Sequence, residues 1–238
     1  MFTNFVATIL TLATIAALSG PCAAVPSVLD RTVAHFAVSG LRLPYTVREL
    51  AAAERLYFSV ELLARPAEAA PGSDPMVQLE VHGRTVREIL DAAVAQDPRY
   101  TYVEKDGWIN VMGRSLASDP TYPLNWRIPG RVTLTSESDA RAPETVKTWL
   151  REKKIAFLLA GGLNGTRMRV PVVPQTVTLE TPTLREILNW TERLRGRRMW
   201  SVGPPDPLRN DGVAFFYSCG VALPDGPPRE TILIKPKN

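Results

Sequence analysis

Cysteine and histidine are scarce in this 238-residue chain, which contains two residues of each type. Disulfide scaffolds, zinc sites and many nucleophilic enzymes depend on these side chains. No group of His, Cys, Asp or Glu has the spacing along the chain that is typical of metal ligands, and no cofactor motif is present. The glycine-rich segment at 161–165 lacks the Lys-Ser/Thr ending of a nucleotide-binding loop, and we interpret it as a turn. We therefore expect no metal and no cofactor.

Charged side chains are absent from residues 2 to 29, which contain an apolar run from Phe5 to Leu18. Small residues follow at Ala23 and Ala24. This layout is typical of a secretory signal peptide, residues 1–24, with cleavage after Ala24. The pattern predicts a periplasmic or secreted protein.

Two alternatives to cleavage remain open. The apolar run is short for a full membrane span, but an uncleaved N-terminal anchor is one of them. Lipidation of Cys22 is the other, although Pro21 stands where a lipoprotein signal requires a small residue such as glycine or alanine. Membrane contact is therefore expected only through the N-terminus.

Cleavage after Ala24 leaves 214 residues, which is enough for one large or two small domains. It also leaves Cys219 as the single cysteine, so we expect no internal disulfide. The Cys219 thiol is interpreted as buried, and a reactive or intermolecular thiol is the alternative.

A unit of strand, helix and hairpin extends from Val77 to Met112. Apolar residues alternate with polar ones at the start of this unit, which predicts a strand with one buried face. The motif Thr85-Val86-Arg87-Glu88 matches a capping box, so a helix is expected to begin there. Two short apolar segments then flank Asp106-Gly107, a pair that favours the tight turn of a β-hairpin.

The same unit returns about one hundred residues later, which is the signature of an internal repeat. Val77-Gln78-Leu79-Glu80 corresponds to Val177-Thr178-Leu179-Glu180, and the capped helix at 85–90 corresponds to 183–188. Upstream, a short helix leads into an apolar strand at 46–62 and again at 145–159. The sequence predicts an α+β fold of two similar halves, 25–116 and 117–238, each with the order strand, helix, strand, strand, helix, hairpin.

A proline-containing segment, Ser115 to Pro129, connects the two halves. It carries the aromatic residues Tyr122 and Trp126. We expect it to be ordered by docking these rings on a domain surface.

The densest positive cluster of the chain follows the second capped helix. A helix end explains it simply, because cations stabilise the C-terminal end of the helix dipole. The alternatives are binding of an acidic partner, of anionic lipid or of a polysaccharide. The candidate binding residues are Arg193, Arg195, Arg197, Arg198 and Trp200.

Candidate catalytic residues are few. His82 is interpreted as a surface or turn residue, and nothing next to Cys219 is typical of an activated nucleophile. Glu80 and Glu180 occupy matching positions in the two halves, but such positions need not be close in space, and we expect both to face solvent. His35 is the other histidine. We predict no catalytic residue.

The net charge of +4 and the isoelectric point near 9.2 describe a mild excess of positive charge. This excess is spread along the chain except at the arginine cluster. Nucleic-acid binding also conflicts with export, and we exclude it as the expected role.

The order of these motifs resembles the short N-terminal domain of secretins and TonB-dependent receptors, the STN domain. The first copy of the pattern covers Thr46 to Leu63, Val77 to Leu90 and Tyr100 to Val111, and a less regular copy extends from Thr145 to Phe216. The resemblance implies a module of two helices packed with short sheets, which works in the periplasm by docking other proteins. The family has no catalytic residues.

The resemblance favours an exported, non-enzymatic docking protein of the bacterial cell envelope with an envelope protein as its partner. The family's transport roles are not carried over, because no pore-forming or barrel region follows the second copy. The alternative is an unrecognised envelope enzyme with its site between the two halves. A cleft lined by titratable groups favours the enzyme, and an exposed sheet edge or aromatic patch favours docking.

Overall fold

The computed structural model describes residues 26–63, 74–135, 148–149, 151–153, 155–160, 175–194, 196–203 and 213–219. Of 155–160 and 213–219 it describes the backbone. The predictions for the signal peptide, for Cys22 and for the glycine-rich turn at 161–165 lie outside these residues.

The described residues of the first half contain five strands and two long helices in the expected order of strand, helix, strand, strand, helix and hairpin. A 3₁₀ turn at Val28–Asp30 precedes them. The elements are β1 (Thr32–Arg42), α1 (Leu43–Glu54), β2 (Tyr57–Glu61), β3 (Met76–Thr85), α2 (Val86–Gln96), β4 (Tyr100–Lys105) and β5 (Trp108–Gly113).

The second half begins after a short helix, and its described residues add five strands and one long helix. Helical backbone also occurs at 148–149 and 151–152, between its first two strands. A mixed α+β fold, as predicted, is therefore present in the described chain. The elements are α3 (Arg114–Ala117), β6 (Arg131–Thr135), β7 (Ile155–Ala160), β8 (Thr176–Glu180), α4 (Leu184–Leu194), β9 (Met199–Val202) and β10 (Val213–Cys219).

Capping boxes begin both α2 and α4. The Thr85 hydroxyl accepts from the Glu88 backbone N–H at 3.2 Å, and the Glu88 carboxylate accepts from the Thr85 N–H at 2.8 Å. The pair Thr183 and Glu186 repeats these bonds at 3.3 and 2.9 Å. Each pair satisfies two backbone amides that the first helical turn leaves without a partner. The sequence-predicted helix starts are confirmed.

The β4–β5 hairpin turns at Asp106 and Gly107, which have φ angles of 54° and 69°. Asparagine, aspartate and glycine tolerate this left-handed region, which is why the Asp-Gly pair predicts the turn. The hairpin is confirmed.

Three sheets are formed by the described strands. β1 pairs with β3, and β6 pairs with β8, each as an antiparallel two-stranded sheet. The remaining strands form one six-stranded sheet in the order β4-β5-β2-β9-β10-β7. In it β2 pairs in parallel with β5 on one side and with β9 on the other.

Strand order is the same in the two halves. The first contributes β4-β5-β2 to the large sheet and the second contributes β9-β10-β7. In each triplet, read in this order, the first two strands pair antiparallel and the last two pair in parallel. In the first half, α1 contacts β1 and β2, and α2 contacts β3 and β4, so both helices lie between two sheets. In the second half, α4 contacts β6 and β9.

Two hydrophobic clusters form the core. One lies in the first half around Phe36, Phe58 and Ile89, and the other contains Trp108 from the first half together with Trp200 and other residues of the second. Burial of such side chains is the main stabilising contribution to a fold of this kind.

The connecting segment packs on the second cluster. Tyr122 and Leu124 are buried, and the partly buried Trp126 packs against Trp149 in a T-shaped arrangement with 5.9 Å between ring centroids. The prediction that aromatic docking orders this segment is confirmed.

No helix among the described residues has the length and apolar character needed to cross a bilayer.

Candidate functional site

The predicted arginine cluster lies where α4 ends and β9 begins, at the contact between the halves. The Arg193 guanidinium donates to the Asp106 carbonyl at 2.8 Å, and the Arg198 guanidinium donates to the Arg55 carbonyl at 3.3 Å. Both acceptors belong to the first half. Arg197 instead pairs within its own half with the buried Glu192 at 3.3 Å.

Trp200 is fully buried in β9, and its indole N–H donates to Asn189 at 2.8 Å. Arg195 lies outside the described residues. The described side chains of the cluster thus contact different groups of this chain, and Trp200 contributes no exposed surface. A binding role for the set of five stays a prediction.

Aromatic rings surround the Arg193 guanidinium. Its carbon lies 4.6 Å from the ring centroid of Tyr57, 4.8 Å from that of Trp190 and 5.8 Å from that of Trp108. A cation over the face of an aromatic ring is attracted by the ring's quadrupole. Arg193 therefore helps to join α4 to β2 and β5.

A small cleft opens beside this arrangement, between the β4–β5 turn and α4. It is lined by Lys105, Asp106, Glu186 and Arg193 together with Trp108, Asn189 and Trp190. Lys105 and Glu186 form an ion pair across it, and Arg193 is already bonded to Asp106. Its volume of about 10 Å³ matches a single water molecule. The charges here are paired with one another.

A buried ion pair joins the two halves. Arg185 of α4 donates from Nε to Glu61 of β2 at 2.5 Å and from Nη1 to Asn125 at 2.7 Å. The Glu61 side chain is 0% exposed and that of Arg185 is 12% exposed. Burial raises the pKa of the neighbouring Tyr122 phenol, and the charge of Glu61 and a hydrogen bond to it raise the pKa further.

A chain of buried side-chain hydrogen bonds lies on the same junction. The Ser59 hydroxyl and the Asn189 amide both donate to Asn110 Oδ1, at 2.7 and 2.9 Å, and Trp200 in turn donates to Asn189. These four residues come from β2, β5, α4 and β9. Buried polar groups that are all bonded favour one arrangement of their elements, so the network fixes how the halves meet.

The only two histidines of the chain meet on the outer face of the β1–β3 sheet. His35 lies opposite His82 in the strand register, and their rings are stacked at 4.5 Å with an angle of 18° between planes. The carboxylate of Glu80 lies 4.0 Å from His82 Nε2. All three side chains are exposed, as predicted for His82 and Glu80.

The sequence pattern did not group these three residues, because His35 and His82 are 47 positions apart. Their proximity could have been predicted only by pairing the strand around Val38 with the strand at 77–81. Glu180, the counterpart of Glu80, is also exposed, and it pairs with Arg131 at 2.7 Å.

Comparison of the chain with protein families, with curated proteins and with solved structures gives no match. In its described residues the protein is a mixed α+β chain, and strands from both halves form one six-stranded sheet.

Proposed function

We propose that this chain is an exported, non-enzymatic docking protein of the bacterial cell envelope, built from two copies of a module that resembles the STN domain. The shared strand order of the halves supports the two copies, as do the matching capping boxes of α2 and α4. The first half has two helices between short sheets, which is the arrangement that the resemblance implies.

Pairing of β2 with β9 is the observation that carries the docking role. The first half contributes β4-β5-β2 to the sheet, and β2 is the edge strand that faces the second half. β9 pairs with it in parallel from Phe58 opposite Met199 to Glu61 opposite Val202. Adding a strand to an exposed sheet edge is a general mode of protein recognition. The chain already uses this mode to dock its own halves.

The same reasoning places the partner at β7. β7 holds in the second half the position that β2 holds in the first, and it is the last strand of the sheet in the described part of the chain. We propose that an extended segment of an envelope protein pairs with the outer edge of β7, as β9 pairs with β2.

The junction between the halves favours docking over the alternative of an enzyme. Its titratable groups form ion pairs and hydrogen bonds with each other, and the cleft beside α4 has room for one water. These contacts stabilise the join between modules. The absence of charge from residues 2 to 29 supports the export of such a protein to the envelope.

Two matched proline variants test the edge. Leu158→Pro and Leu159→Pro change adjacent residues of one type, and consecutive backbone N–H groups of a strand point to opposite neighbours. Proline removes the N–H. One variant therefore breaks a bond to β10, while the other removes an N–H from the outer edge.

The tagged mature forms are used to capture proteins from the envelope fraction, and thermal unfolding is measured for each. We expect the parent to recover one partner in stoichiometric amount. The variant that keeps the parent's melting temperature is expected to lose that partner. Equal recovery by this variant, or no partner for the parent under low-salt conditions, overturns the proposal.

A further inference from the structure

A site with the donor set of a metal centre lies on the exposed face of the β1–β3 sheet, which is separate from the six-stranded sheet that joins the halves. His35 of β1 and both Glu80 and His82 of β3 form it. Their ligand atoms all lie within 4.8 Å of one another. Neither histidine takes part in the docking role proposed above.

The strand register explains why these side chains share one face. His35 is directly opposite His82, and Ala37 is directly opposite Glu80. Side chains directly opposite each other in antiparallel strands project from the same face, as do residues two apart on one strand. Ala37 presents only a methyl group opposite Glu80.

The geometry needs a small adjustment to hold a metal. Bonds of about 2.1 Å in tetrahedral arrangement place ligand atoms about 3.4 Å apart. The side chains of His82 and Glu80 are 70% and 76% exposed, so rotation about their side-chain bonds brings the atoms to this separation without displacing packed neighbours. The sheet holds the three Cα atoms in place while this occurs.

The charges around the cluster are compatible with a cation. Glu80 brings a negative charge, and the nearest arginine along β3, Arg84, is paired with Glu88 at 2.9 Å. Two imidazole nitrogens and one carboxylate oxygen suit zinc, copper and nickel, whereas magnesium and calcium select oxygen ligands.

We propose that His35, Glu80 and His82 bind one divalent first-row transition-metal ion. Affinity follows the general order for nitrogen and oxygen ligands, with Cu²⁺ bound more tightly than Zn²⁺ or Ni²⁺. Three protein ligands leave at least one coordination position open to solvent. The site therefore accepts a further ligand from water or from a molecule in solution.

The test is titration of the tag-free mature protein with CuCl₂ and with ZnCl₂ in a calorimeter. A Cys219→Ser background removes the thiol as a competing ligand. We expect one ion per chain, and we expect MgCl₂ to give no heat of binding. Electron paramagnetic resonance of the Cu²⁺ complex is expected to show coupling to two imidazole nitrogens.

Three variants and one matched control decide the location. His35→Gln and His82→Gln are each expected to weaken binding at least tenfold, and Glu80→Gln is expected to weaken it less. Glu180→Gln changes the corresponding residue of the other half and is expected to leave binding unchanged. The substitutions are at exposed positions, and far-ultraviolet circular dichroism verifies that the fold is retained.

Two results overturn the proposal. One is the absence of Cu²⁺ and Zn²⁺ binding at millimolar metal. The other is binding to both histidine variants with the affinity of the parent, which places the ion elsewhere on the chain. Because neither result depends on the edge of β7, failure here is distinct from failure of the docking proposal.

Discussion

Replacing Arg185 by methionine tests how the two halves are joined. Arg185 is the cation of a pair whose carboxylate, Glu61, is 0% exposed. Methionine keeps much of the side-chain length but carries no charge and donates no hydrogen bond. The substitution leaves Glu61 inside the junction without its cation, and it removes a donor to Asn125.

The expected loss of stability is large. Removing one partner of a buried ion pair costs about 3–5 kcal/mol, because the remaining charge is kept from water without compensation. For a protein of about 200 residues each kcal/mol corresponds to a shift in Tm of about 2–4 °C. We therefore expect Arg185→Met to lower Tm by about 6–20 °C.

Arg131→Met is the matched control for this measurement. Arg131 forms an ion pair with Glu180 at 2.7 Å, a separation close to the 2.5 Å between Arg185 and Glu61. The side chains of Arg131 and Glu180, however, are both more than 60% exposed. Exposed pairs contribute about 0–1 kcal/mol. The same substitution at the surface is therefore expected to change stability little.

Unfolding in guanidinium chloride, followed by circular dichroism, gives the free energy for each protein. The double variant Glu61→Leu/Arg185→Met leaves no buried charge and is expected to recover part of the loss, while Tyr122 and Asn125 each lose a hydrogen-bond partner. Equal losses for Arg185→Met and Arg131→Met, or a double variant no more stable than Arg185→Met, refute the reasoning.

Three further predictions concern other parts of the chain. Asn189→Ala leaves a buried indole N–H without its acceptor and is expected to lower the free energy of unfolding in urea by about 1–3 kcal/mol. A single hydrogen bond contributes about 1 kcal/mol, so a loss below about 0.5 kcal/mol contradicts this prediction. Gly113→Ala places a Cβ against the Cδ2 end of the partly buried Leu63 side chain, which has to rotate away, so we expect a loss of about 0.5–1.5 kcal/mol by thermal unfolding. A loss above about 3 kcal/mol, beyond the usual range for overpacking, opposes it. The backbone N–H of Thr85 donates to the Glu88 carboxylate and lowers the pKa of Glu88. The stability that this carboxylate contributes is therefore present above its unfolded pKa and is lost as pH falls through the lower folded pKa. Glu88→Gln is expected to flatten the fall of stability in acid, and identical pH profiles for the two proteins exclude this contribution.

Local elements of the fold could be predicted because their causes lie within a few residues. The capping box of Thr85 with Glu88 forms over three positions, and the turn at Asp106-Gly107 depends on the backbone freedom of two residues. Alternation of apolar residues indicates which face of a strand is buried wherever the strand packs. These signals do not depend on any distant segment, so they can be recognised in the sequence alone.

The burial of Trp200 was beyond prediction for the opposite reason. Arg197 and Arg198 lie two to three positions before it, which suggested a surface. Pairing of β9 with β2 instead places it opposite Ser59, within the core. No local pattern distinguishes a tryptophan at a surface from one that closes a junction.

By itself the sequence determined the capped starts of α2 and α4, the turn at Asp106-Gly107 and the mixed α+β class, because each depends on short-range spacing. Only the tertiary structure decided which partners meet across the chain. Arg185 reaches Glu61 over 124 positions, and His35 reaches His82 over 47. The first contact depends on the packing of α4 on β2, and the second depends on the register of β1 with β3, where a shift of one residue turns the side chains to the other face.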